Sequence, residues 1–199
     1  MELSASILIG KSKRMGRDKA LLMLENQTFI GHLIQELSVC PEVFIASSVN
    51  NDYSGYGLRV IMDENRDVGP LEGIRMSLLS AVYDRVFICA YDLPFFTREA
   101  VFCLNRFITP GQDVCVFKDN ERVHPLCGIY SRQILPVIEK HIAEGRYRLM
   151  DLLRKVRTKY ISLEGSGLPE DILCNINTPE EYRALCDRLG INPDRQEET

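Results

Sequence analysis

A short stretch near the start of the sequence concentrates positive charge around two glycines. The apolar run Ser6-Ile7-Leu8-Ile9 is typical of a buried strand, and it breaks at Gly10 into a loop that extends to Lys19. Gly10 and Gly16 let the backbone approach a ligand closely, and backbone N–H groups among cations form a site for a polyanion. The pattern indicates a triphosphate-binding loop, and the alternative is a solvated basic turn. The cations are Lys11, Lys13, Arg14, Arg17 and Lys19.

Two familiar phosphate-binding motifs do not fit this loop. A Walker A loop requires Gly-x-x-x-x-Gly-Lys-[Ser/Thr], and counting from Gly10 places Met15 where the second glycine should be. The dinucleotide fingerprint Gly-x-Gly-x-x-Gly is also absent from the sequence. A phosphate loop at this position therefore belongs to another class.

Two carboxylates follow predicted strands and are candidates for a metal site. Asp92 comes shortly after the very apolar run 86–90 and precedes Leu93-Pro94, which restricts the backbone just beyond it. Proteins usually hold Mg²⁺ with one or two carboxylates plus phosphate oxygens, so Asp92 is the predicted magnesium ligand. Its alternative role is to cap the following turn. Asp63 ends a shorter strand and has three open roles: metal ligand, nucleotide contact or strand terminator.

The three histidines form no catalytic relay and no metal-binding pair. His32 and His141 are predicted on helices, with His141 at the surface, and His124 stands beside Pro125 with ligand contact and packing both open. A phosphate that attacks a nucleotide is already anionic, so no general base is needed. Such reactions depend on positioning and on charge neutralisation. The basic loop and the carboxylates therefore favour phosphoryl-group chemistry on a nucleoside triphosphate.

The seven cysteines indicate free thiols. No two of them form a Cys-x-x-Cys pair, which argues against structural zinc. Cysteines in apolar runs behave as small hydrophobic residues, and this predicts four of them in the core. These four are Cys89, Cys115, Cys127 and Cys174.

Alternating strands and helices must position these residues. Apolar runs predict strands at about 6–9, 43–48, 58–62, 86–90, 113–117, 122–130, 160–163 and 172–176. Capping residues and helical periodicity predict helices at about 28–39, 70–82, 97–107, 131–143, 148–156 and 178–189, with Thr28, Thr97 and Thr178 as caps. This alternation predicts an α/β protein, a three-layer αβα Rossmann-like fold with a mostly parallel central sheet. Ligands of such sheets bind at the carboxyl ends of the strands, which gathers Gly10–Lys19, Asp63 and Asp92 at one edge.

Length and composition restrict the class of protein further. The 199 residues, 45% of them hydrophobic, predict one domain over 1–191 and a disordered tail over 192–199. A net charge of -4 argues against general nucleic-acid binding. The sequence has neither an apolar run of membrane-spanning length nor a signal-peptide pattern, so a cytoplasmic protein with no membrane partner is expected.

Five short motifs, in order along nearly the whole chain, resemble the molybdenum cofactor guanylyltransferases. These are nucleotidyltransferases whose Rossmann-like sheet is of the nucleotide-diphospho-sugar transferase type. Each motif alone is weak, whereas the ordered set is specific to this group. The motifs are Gly10–Lys19, Gly69-Pro70-Leu71-Glu72-Gly73-Ile74, Asp92-Leu93-Pro94-Phe95, His124-Pro125-Leu126 and Asn175-Ile176-Asn177-Thr178-Pro179-Glu180-Glu181-Tyr182.

The resemblance implies transfer of GMP from GTP to the terminal phosphate of molybdenum-molybdopterin, with Mg²⁺ as cofactor and pyrophosphate as the second product. It also implies other molybdenum cofactor biosynthesis proteins and apo-molybdoenzymes as partners. The strand end and loop would bind the guanine and the phosphates through Leu8, Ile9, Gly10, Ser12 and Gly16.

The remaining site residues implied by the resemblance lie further along the chain. Arg14 and Lys19 would hold the triphosphate, Asp63 would contact the nucleoside and Asp92 would bind Mg²⁺. The catalytic residues would thus be Arg14, Lys19 and Asp92. Asn175 and Asn177 would lie on the molybdopterin side of the site, and their alternative role is to cap the turn before the last helix.

Two departures from the family pattern affect base recognition. The family usually has two adjacent glycines after the first strand, and the first is Ile9 here. The family's asparagine at the end of the second strand is replaced by Ser47-Ser48, although Asp18-Lys19 favours the guanylyl branch over the cytidylyl branch. Three alternatives stay open: a cytidylyltransferase on molybdopterin, a nucleotidyltransferase on another phosphorylated small molecule, and a non-catalytic carrier of molybdopterin or nucleotide.

Overall fold

The computed structural model of the chain describes residues 1–11, 15, 18–65, 67–120 and 122–191. The strands are β1 (Ser4–Ile9), β2 (Met23–Leu24), β3 (Gln27–Thr28), β4 (Glu42–Ser47), β5 (Val60–Met62), β6 (Arg85–Ala90), β7 (Val114–Asp119), β8 (Arg122–Ser131) and β9 (Thr158–Ser162). The helices are α1 (Phe29–Leu37), α2 (Pro70–Ser80), α3 (Glu99–Phe107), α4 (Leu135–Ala143), α5 (Leu149–Leu153) and α6 (Pro179–Leu189).

Seven of these strands form one sheet in the order β5-β4-β1-β6-β8-β7-β9. The strands β5, β4, β1 and β6 pair in parallel, as do β7 and β9, whereas β8 runs antiparallel to both of its neighbours. The predicted α/β fold with a mostly parallel sheet is confirmed. The carboxyl ends of β1, β4, β5 and β6 consequently meet at one edge, where the first residue of the reversed strand β8 also lies.

Helices cover both faces of the sheet because side chains alternate along each strand. In β1, Ala5, Ile7 and Ile9 belong to the core cluster that α1 and α3 cover, while Leu8 belongs to the cluster beneath α2 and α4. Gly73 permits close packing of α2 on the sheet, since a Cβ there would lie 3.3 Å from Leu8 Cδ2. The two layers of helices therefore hold β1 from both sides.

The last helix packs on a small hairpin rather than on the central sheet. The strands β2 and β3 pair antiparallel, a hairpin that the sequence did not predict. Phe29 and Tyr182 meet edge to face at 6.1 Å in a third cluster that includes residues of α6. The Tyr182 hydroxyl donates to the Met23 carbonyl at 3.0 Å. This cluster fixes the segment before α6 against the start of α1.

The predicted strand at 172–176 is wrong. Ile172 and Leu173 are buried, but their segment forms turns, and the Cys174 N–H bonds the Asp171 carbonyl at 2.8 Å. Ile176 donates its N–H to the Asp92 carbonyl at 3.1 Å. The apolar residues anchor an irregular segment to the core, and Cys174 itself is exposed, contrary to prediction.

Two predictions about helices are also wrong. His141 is buried with 1% of its surface exposed, because it follows Ile138 by one turn on the inward face of α4. Thr97 does not cap α3 with its side chain. Instead the Glu36 carboxylate accepts the Arg98 N–H at 2.8 Å and holds the start of that helix.

None of the helices in the described ranges has the length and hydrophobicity that crossing a bilayer requires. The predicted tail at 192–199 lies outside the described residues.

Candidate active site

An open cleft with a volume of about 760 Å³ lies at the carboxyl edge of β1, β4, β5 and β6. Every described residue of the predicted site lines it, namely Leu8, Ile9, Gly10, Lys19, Asp63, Asp92, Asn175 and Asn177. Ser12, Arg14 and Gly16 lie outside the described residues. With Gly69, Pro70, Gly73 and Leu126 also in its lining, the cleft brings together residues from all five motifs, which span more than 150 positions of the sequence.

The end of β1 leaves room for a ligand despite its isoleucine. Ile9 is only 3% exposed, because its side chain belongs to the core cluster beneath α1 and α3, and its carbonyl accepts the Ser48 N–H at 3.0 Å. The next residue, Gly10, lines the cleft, and a Cβ built there would meet no atom of the described residues within 4 Å. The open position at this strand end is thus Gly10.

Lys19 connects three parts of the cleft. Its buried ammonium Nζ donates to Asp92 Oδ2 at 2.9 Å, to the Ile176 carbonyl at 2.7 Å and to Asn177 Oδ1 at 3.0 Å. An ammonium has three donors, so these contacts use all of them. The Tyr91 ring lies 5.1 Å from the same Nζ, close enough for a cation–π contact. Lys19 therefore holds the 175–177 segment against the end of β6.

Asp18 fixes the backbone that presents Lys19. Its Oδ1 accepts the Ala20 N–H at 2.9 Å and so caps a short 3₁₀ turn over Lys19–Leu21. Its Oδ2 accepts the Tyr53 hydroxyl and the Asn51 amide, each at 2.6 Å. The end of the basic loop is thereby tied to the loop that follows β4.

Asp92 retains capacity for a metal ion. Asn175 Nδ2 donates to Asp92 Oδ1 at 2.8 Å, and Lys19 occupies one position on Oδ2. A carboxylate offers about four lone-pair positions, so each oxygen can accept one further ligand. No group of three or more His, Cys, Asp and Glu side chains within the described ranges could hold a metal. A single carboxylate suits Mg²⁺, which takes most of its other ligands from phosphate and water.

Asp63 lies at the end of β5 in an environment that disfavours its charge. Its backbone N–H bonds the Ser47 carbonyl at 3.0 Å, while its Oδ1 is buried with no hydrogen-bond partner among the described residues. Burial, and secondarily the negative charge of Glu72, raises the pKa of Asp63 to about 6, against a smaller opposing effect of Arg75. An orphaned carboxyl oxygen at the cleft can accept a donor from a ligand.

Glu72, in the first turn of α2, organises the loop after Asp63. This fully buried carboxylate accepts the N–H groups of Glu64 and Asn65 at 3.2 and 3.0 Å, and Arg75 Nη2 at 2.8 Å. Burial alone would raise the pKa of Glu72, but the hydrogen bonds from Arg75 and Asn65 outweigh it and lower the pKa. Glu72 therefore acts on the cleft through the backbone of the Asp63 loop. The signals in the sequence were its place in the motif Gly69–Ile74 and its spacing of three residues from Arg75.

Several cleft residues were not singled out from the sequence. Tyr91 donates from its hydroxyl to the Gly10 carbonyl at 3.2 Å, so it braces the open strand end, and its position directly before Asp92 was the available signal. A register shift between β7 and β8 at Val116 and Phe117 accompanies the entry of Leu126 into the cleft lining. Leu126, like the lining residues Lys11 and Gly69, belongs to a motif named from the sequence, whereas the lining residues Asn50, Met62, Asn65 and Asp67 do not.

The histidines lie outside the cleft lining. His124 has a buried Nε2 with no partner in the described part of the chain, and burial, followed by the charge of Arg122, lowers its pKa. A nitrogen of His32 lies 2.8 Å from the Phe96 carbonyl, within hydrogen-bond distance. The arrangement thus brings a cation, a carboxylate and an open glycine edge together without a histidine base.

Comparisons with known proteins agree with this geometry. The model of the MobA-like NTP transferase domain matches residues 5–160. A protein of Carboxydothermus hydrogenoformans named "Probable molybdenum cofactor guanylyltransferase" is 35% identical over 192 residues, which cover 92% of this chain and 94% of that protein. The molybdenum cofactor guanylyltransferase of Desulfosudis oleivorans is 34% identical over 177 residues, or 86% and 88% of the two chains.

A solved structure has the same fold at lower sequence identity. Molybdopterin-guanine dinucleotide biosynthesis protein A from Archaeoglobus fulgidus superposes with a TM-score of 0.82 over 94% of this chain and 98% of that one, at 21% identity.

Proposed function

Because the chain belongs to the family of MobA-like NTP transferase domains, we propose that it transfers GMP from GTP to molybdenum-molybdopterin and releases pyrophosphate. The observation that carries the proposal is the single cleft that gathers Gly10, Lys19, Asp63, Asp92 and the 175–177 segment. The choice of GTP and molybdopterin is supported by relatives that carry the name guanylyltransferase and align over most of their length.

The reaction joins two phosphates. An oxygen of the acceptor's terminal phosphate attacks the α-phosphorus of GTP, a new P–O bond forms, and the bond from that phosphorus to the β-phosphate oxygen breaks with its electron pair. The attacking oxygen is already anionic, so the lack of a histidine in the cleft lining is no obstacle. Catalysis then depends on alignment of the two substrates and on compensation of their negative charge.

Each residue has a proposed part in this alignment. Gly10 gives the nucleotide access to the strand end, and Asp63 accepts a donor from the nucleoside with its orphaned oxygen. Arg14 and Lys19 offset the charge of the triphosphate. Lys19 must release one of its three present partners before it can donate to a phosphate.

Asp92 is the proposed magnesium ligand. The free acceptor positions on its carboxylate support this role, because Mg²⁺ sites in proteins usually need only one or two carboxylates besides phosphate and water oxygens. Bound Mg²⁺ would supply positive charge where the phosphate negative charge is densest. Asn175 holds the carboxylate in place through its bond to Oδ1.

We also propose a cytoplasmic location for the reaction. All seven cysteines are free thiols, which suits a reducing compartment.

Pyrophosphate release tests the function directly. The protein is incubated with Mg²⁺, molybdenum-molybdopterin and one of GTP, CTP, ATP or UTP, and released pyrophosphate is measured with and without the acceptor. We expect acceptor-dependent release with GTP and a product whose mass equals the acceptor plus GMP. Release with CTP alone would place the protein in the cytidylyl branch, and no release with any nucleotide would overturn the proposal.

The idea of a non-catalytic carrier loses its motivation in the structure. An isoleucine that crowds the nucleotide would favour such a carrier, but the Ile9 side chain is packed into the core and Gly10 provides the open position.

A further inference from the structure

The reversed direction of β8 brings a cation to the edge of the cleft. Because β8 is antiparallel to β6, its first residue, Arg122, lies at the edge where β1 and β6 end. A turn with Asn120 in the left-handed region, at a φ of 47°, connects β7 to it. In the strand order β5-β4-β1-β6-β8, Arg122 therefore stands on the opposite side of β1 and β6 from Asp63.

Arg122 is one side chain away from the carboxylate at the end of β6. Its Nη2 donates to Asn175 Oδ1 at 3.4 Å, and Asn175 Nδ2 donates to Asp92 Oδ1 at 2.8 Å. The Arg122 contact is long and exposed, and a guanidinium has five N–H donors. Most of its hydrogen-bonding capacity can therefore serve a ligand that enters beside Asn175.

The charge of the second substrate requires such a cation. A phosphate monoester that approaches Asp92 brings further negative charge next to a carboxylate and a triphosphate. The described cations in the cleft lining are Lys11 and Lys19. The donors of Lys19 are all engaged with Asp92, Ile176 and Asn177.

We propose that Arg122 determines acceptor specificity by binding the terminal phosphate of the acceptor, which is a phosphate monoester, with its planar guanidinium fork. The proposal rests on the proposed function, since it assigns the second substrate of that reaction to the β8 side of Asp92. The nucleoside then occupies the β4–β5 side, and the two phosphates that react meet over Asp92 between them.

The test compares binding of molybdopterin with binding of its dephosphorylated form, without nucleotide, in wild type, R122Q and R122K. The matched control is R183Q, which removes an exposed arginine of α6 whose partner Glu180 is 3.8 Å away. We expect R122Q to weaken molybdopterin binding by about 10- to 100-fold, which is the range for a hydrogen bond to a charged group. R122K keeps the positive charge and should weaken the binding less. R183Q should bind like wild type.

The dephosphorylated probe separates recognition of the phosphate from a structural effect. In wild type, loss of the phosphate should weaken binding by about the same factor as R122Q, and in R122Q it should change binding little. A merely structural role for Arg122 through Asn175 would weaken both probes equally and would overturn the proposal. A titration with GTP should give the same affinity in R122Q and wild type, and a loss of GTP affinity as large as the loss of acceptor affinity would also overturn it.

These outcomes are distinct from those of the turnover assay. A wild-type protein that binds molybdopterin through its phosphate but releases no pyrophosphate would contradict the proposed function and leave the role of Arg122 intact. Normal turnover of the wild type, together with unchanged acceptor binding in R122Q, would contradict the role of Arg122 and leave the proposed function intact. Failure of the wild type to distinguish the two probes would overturn the role of Arg122.

Discussion

At the scale of single residues, the site combines a glycine with open space beside it and a carboxyl group whose charge is unfavourable in the fold. Gly10 supplies space, and Asp63 supplies an oxygen that the described protein groups do not satisfy. Neither property improves the fold by itself. Both therefore point to a ligand that fills the space and satisfies the oxygen.

A methyl group at Gly10 should block the nucleotide without harming the fold. Gly10 has no positive φ, and its Cβ would meet no atom within 4 Å in the described part of the chain, so Gly10→Ala should change the free energy of unfolding by less than about 0.5 kcal/mol. The methyl group would occupy space in the cleft, and we expect GTP affinity to fall at least about tenfold. Calorimetric titration measures this.

Gly55→Ala is the matched control for this variant. It also adds a methyl group where no atom lies within 4 Å, but on an exposed turn outside the cleft lining. It should bind GTP like wild type, and equal affinities for all three proteins would show that Gly10 does not border the nucleotide.

Replacement of Asp63 should stabilise the fold and weaken the binding of GTP. The pKa of Asp63 is raised to about 6 in the folded state from an ordinary value of 3.8. Its charge therefore opposes folding fully above pH 6, and the cost disappears as the pH falls toward 4. Asp63→Asn should raise the free energy of unfolding by about 1–2 kcal/mol at pH 8 and hardly change it at pH 4, while GTP binding weakens.

Denaturant unfolding at the two pH values measures the effect on stability. Asp67→Asn, on the same loop and exposed, removes the same formal charge as a control and should give little change at either pH. A destabilised Asp63→Asn variant at pH 8 would contradict the assignment of an unfavourable charge.

At the scale of elements, two threonine caps allow stability and function to be separated. Thr178 caps α6 and forms a capping box with Glu181, whose carboxylate also accepts the Asn177 N–H at 2.5 Å. Thr28 caps α1 in the same way, by accepting the Gly31 N–H at 3.1 Å. Only the first cap is continuous with the segment that binds Lys19.

We therefore expect similar stability losses and different activities from the two variants. Thr178→Ala and Thr28→Ala should each lower the free energy of unfolding by about 1 kcal/mol. Thr178→Ala should in addition lower the turnover rate severalfold, because Asn177 loses its fixed position, and Thr28→Ala should not. Thermal unfolding and pyrophosphate release measure the two effects, and equal turnover in both variants would refute the connection.

The elements that sequence patterns predicted well are those whose backbone bonds are local or within the sheet. Local sequence patterns were enough to predict β1, β4 and β6, which are apolar runs, and the start of α6, which has a threonine cap. The segment 172–176 was misjudged because Ile176 bonds Asp92 and Lys19, partners far away in sequence. Glu72 was named within a motif, but its role was not visible, because only the fold brings the backbone N–H groups of Glu64 and Asn65 to the start of α2.

Sequence patterns grouped the candidate site residues at one edge of the sheet, but they did not reveal the contacts among them. Sequence patterns alone assign the residues at strand ends to one edge of a parallel sheet, because parallel strands all end there. The same patterns do not reveal that Lys19 engages Asp92 and Asn177, since that contact requires the position of a segment more than 150 residues later.

At the scale of the whole molecule, stability should depend on pH through a buried histidine. His141 is buried with its Nδ1 unpartnered in the described structure, and burial, followed by the charge of Arg146, lowers its pKa. The unfolded chain takes up a proton near pH 6.5 and the folded chain only at lower pH, so stability is lost as the pH falls below 6.5.

Replacement of His141 should weaken this dependence. His141→Leu fills the site without a titratable group, so the melting temperature should fall less between pH 7 and pH 5 than in wild type. If differential scanning calorimetry shows the same change of melting temperature with pH in the variant and in wild type, His141 is not the source of the pH dependence.

The contact from Lys19 to Ile176 and Asn177 also orders the events of biosynthesis. A ribosome delivers the basic loop more than 150 residues before Ile176 and Asn177, whose oxygens complete the hydrogen bonds of the Lys19 ammonium. Until then the nascent domain can assemble its first four parallel strands, but Lys19 must keep water in place of the later partners. Substrate-binding competence should therefore arise only once residues 175–177 have left the ribosome, in one step with the docking of α6, and a chain stopped before residue 174 should fold in part yet remain unable to bind its acceptor.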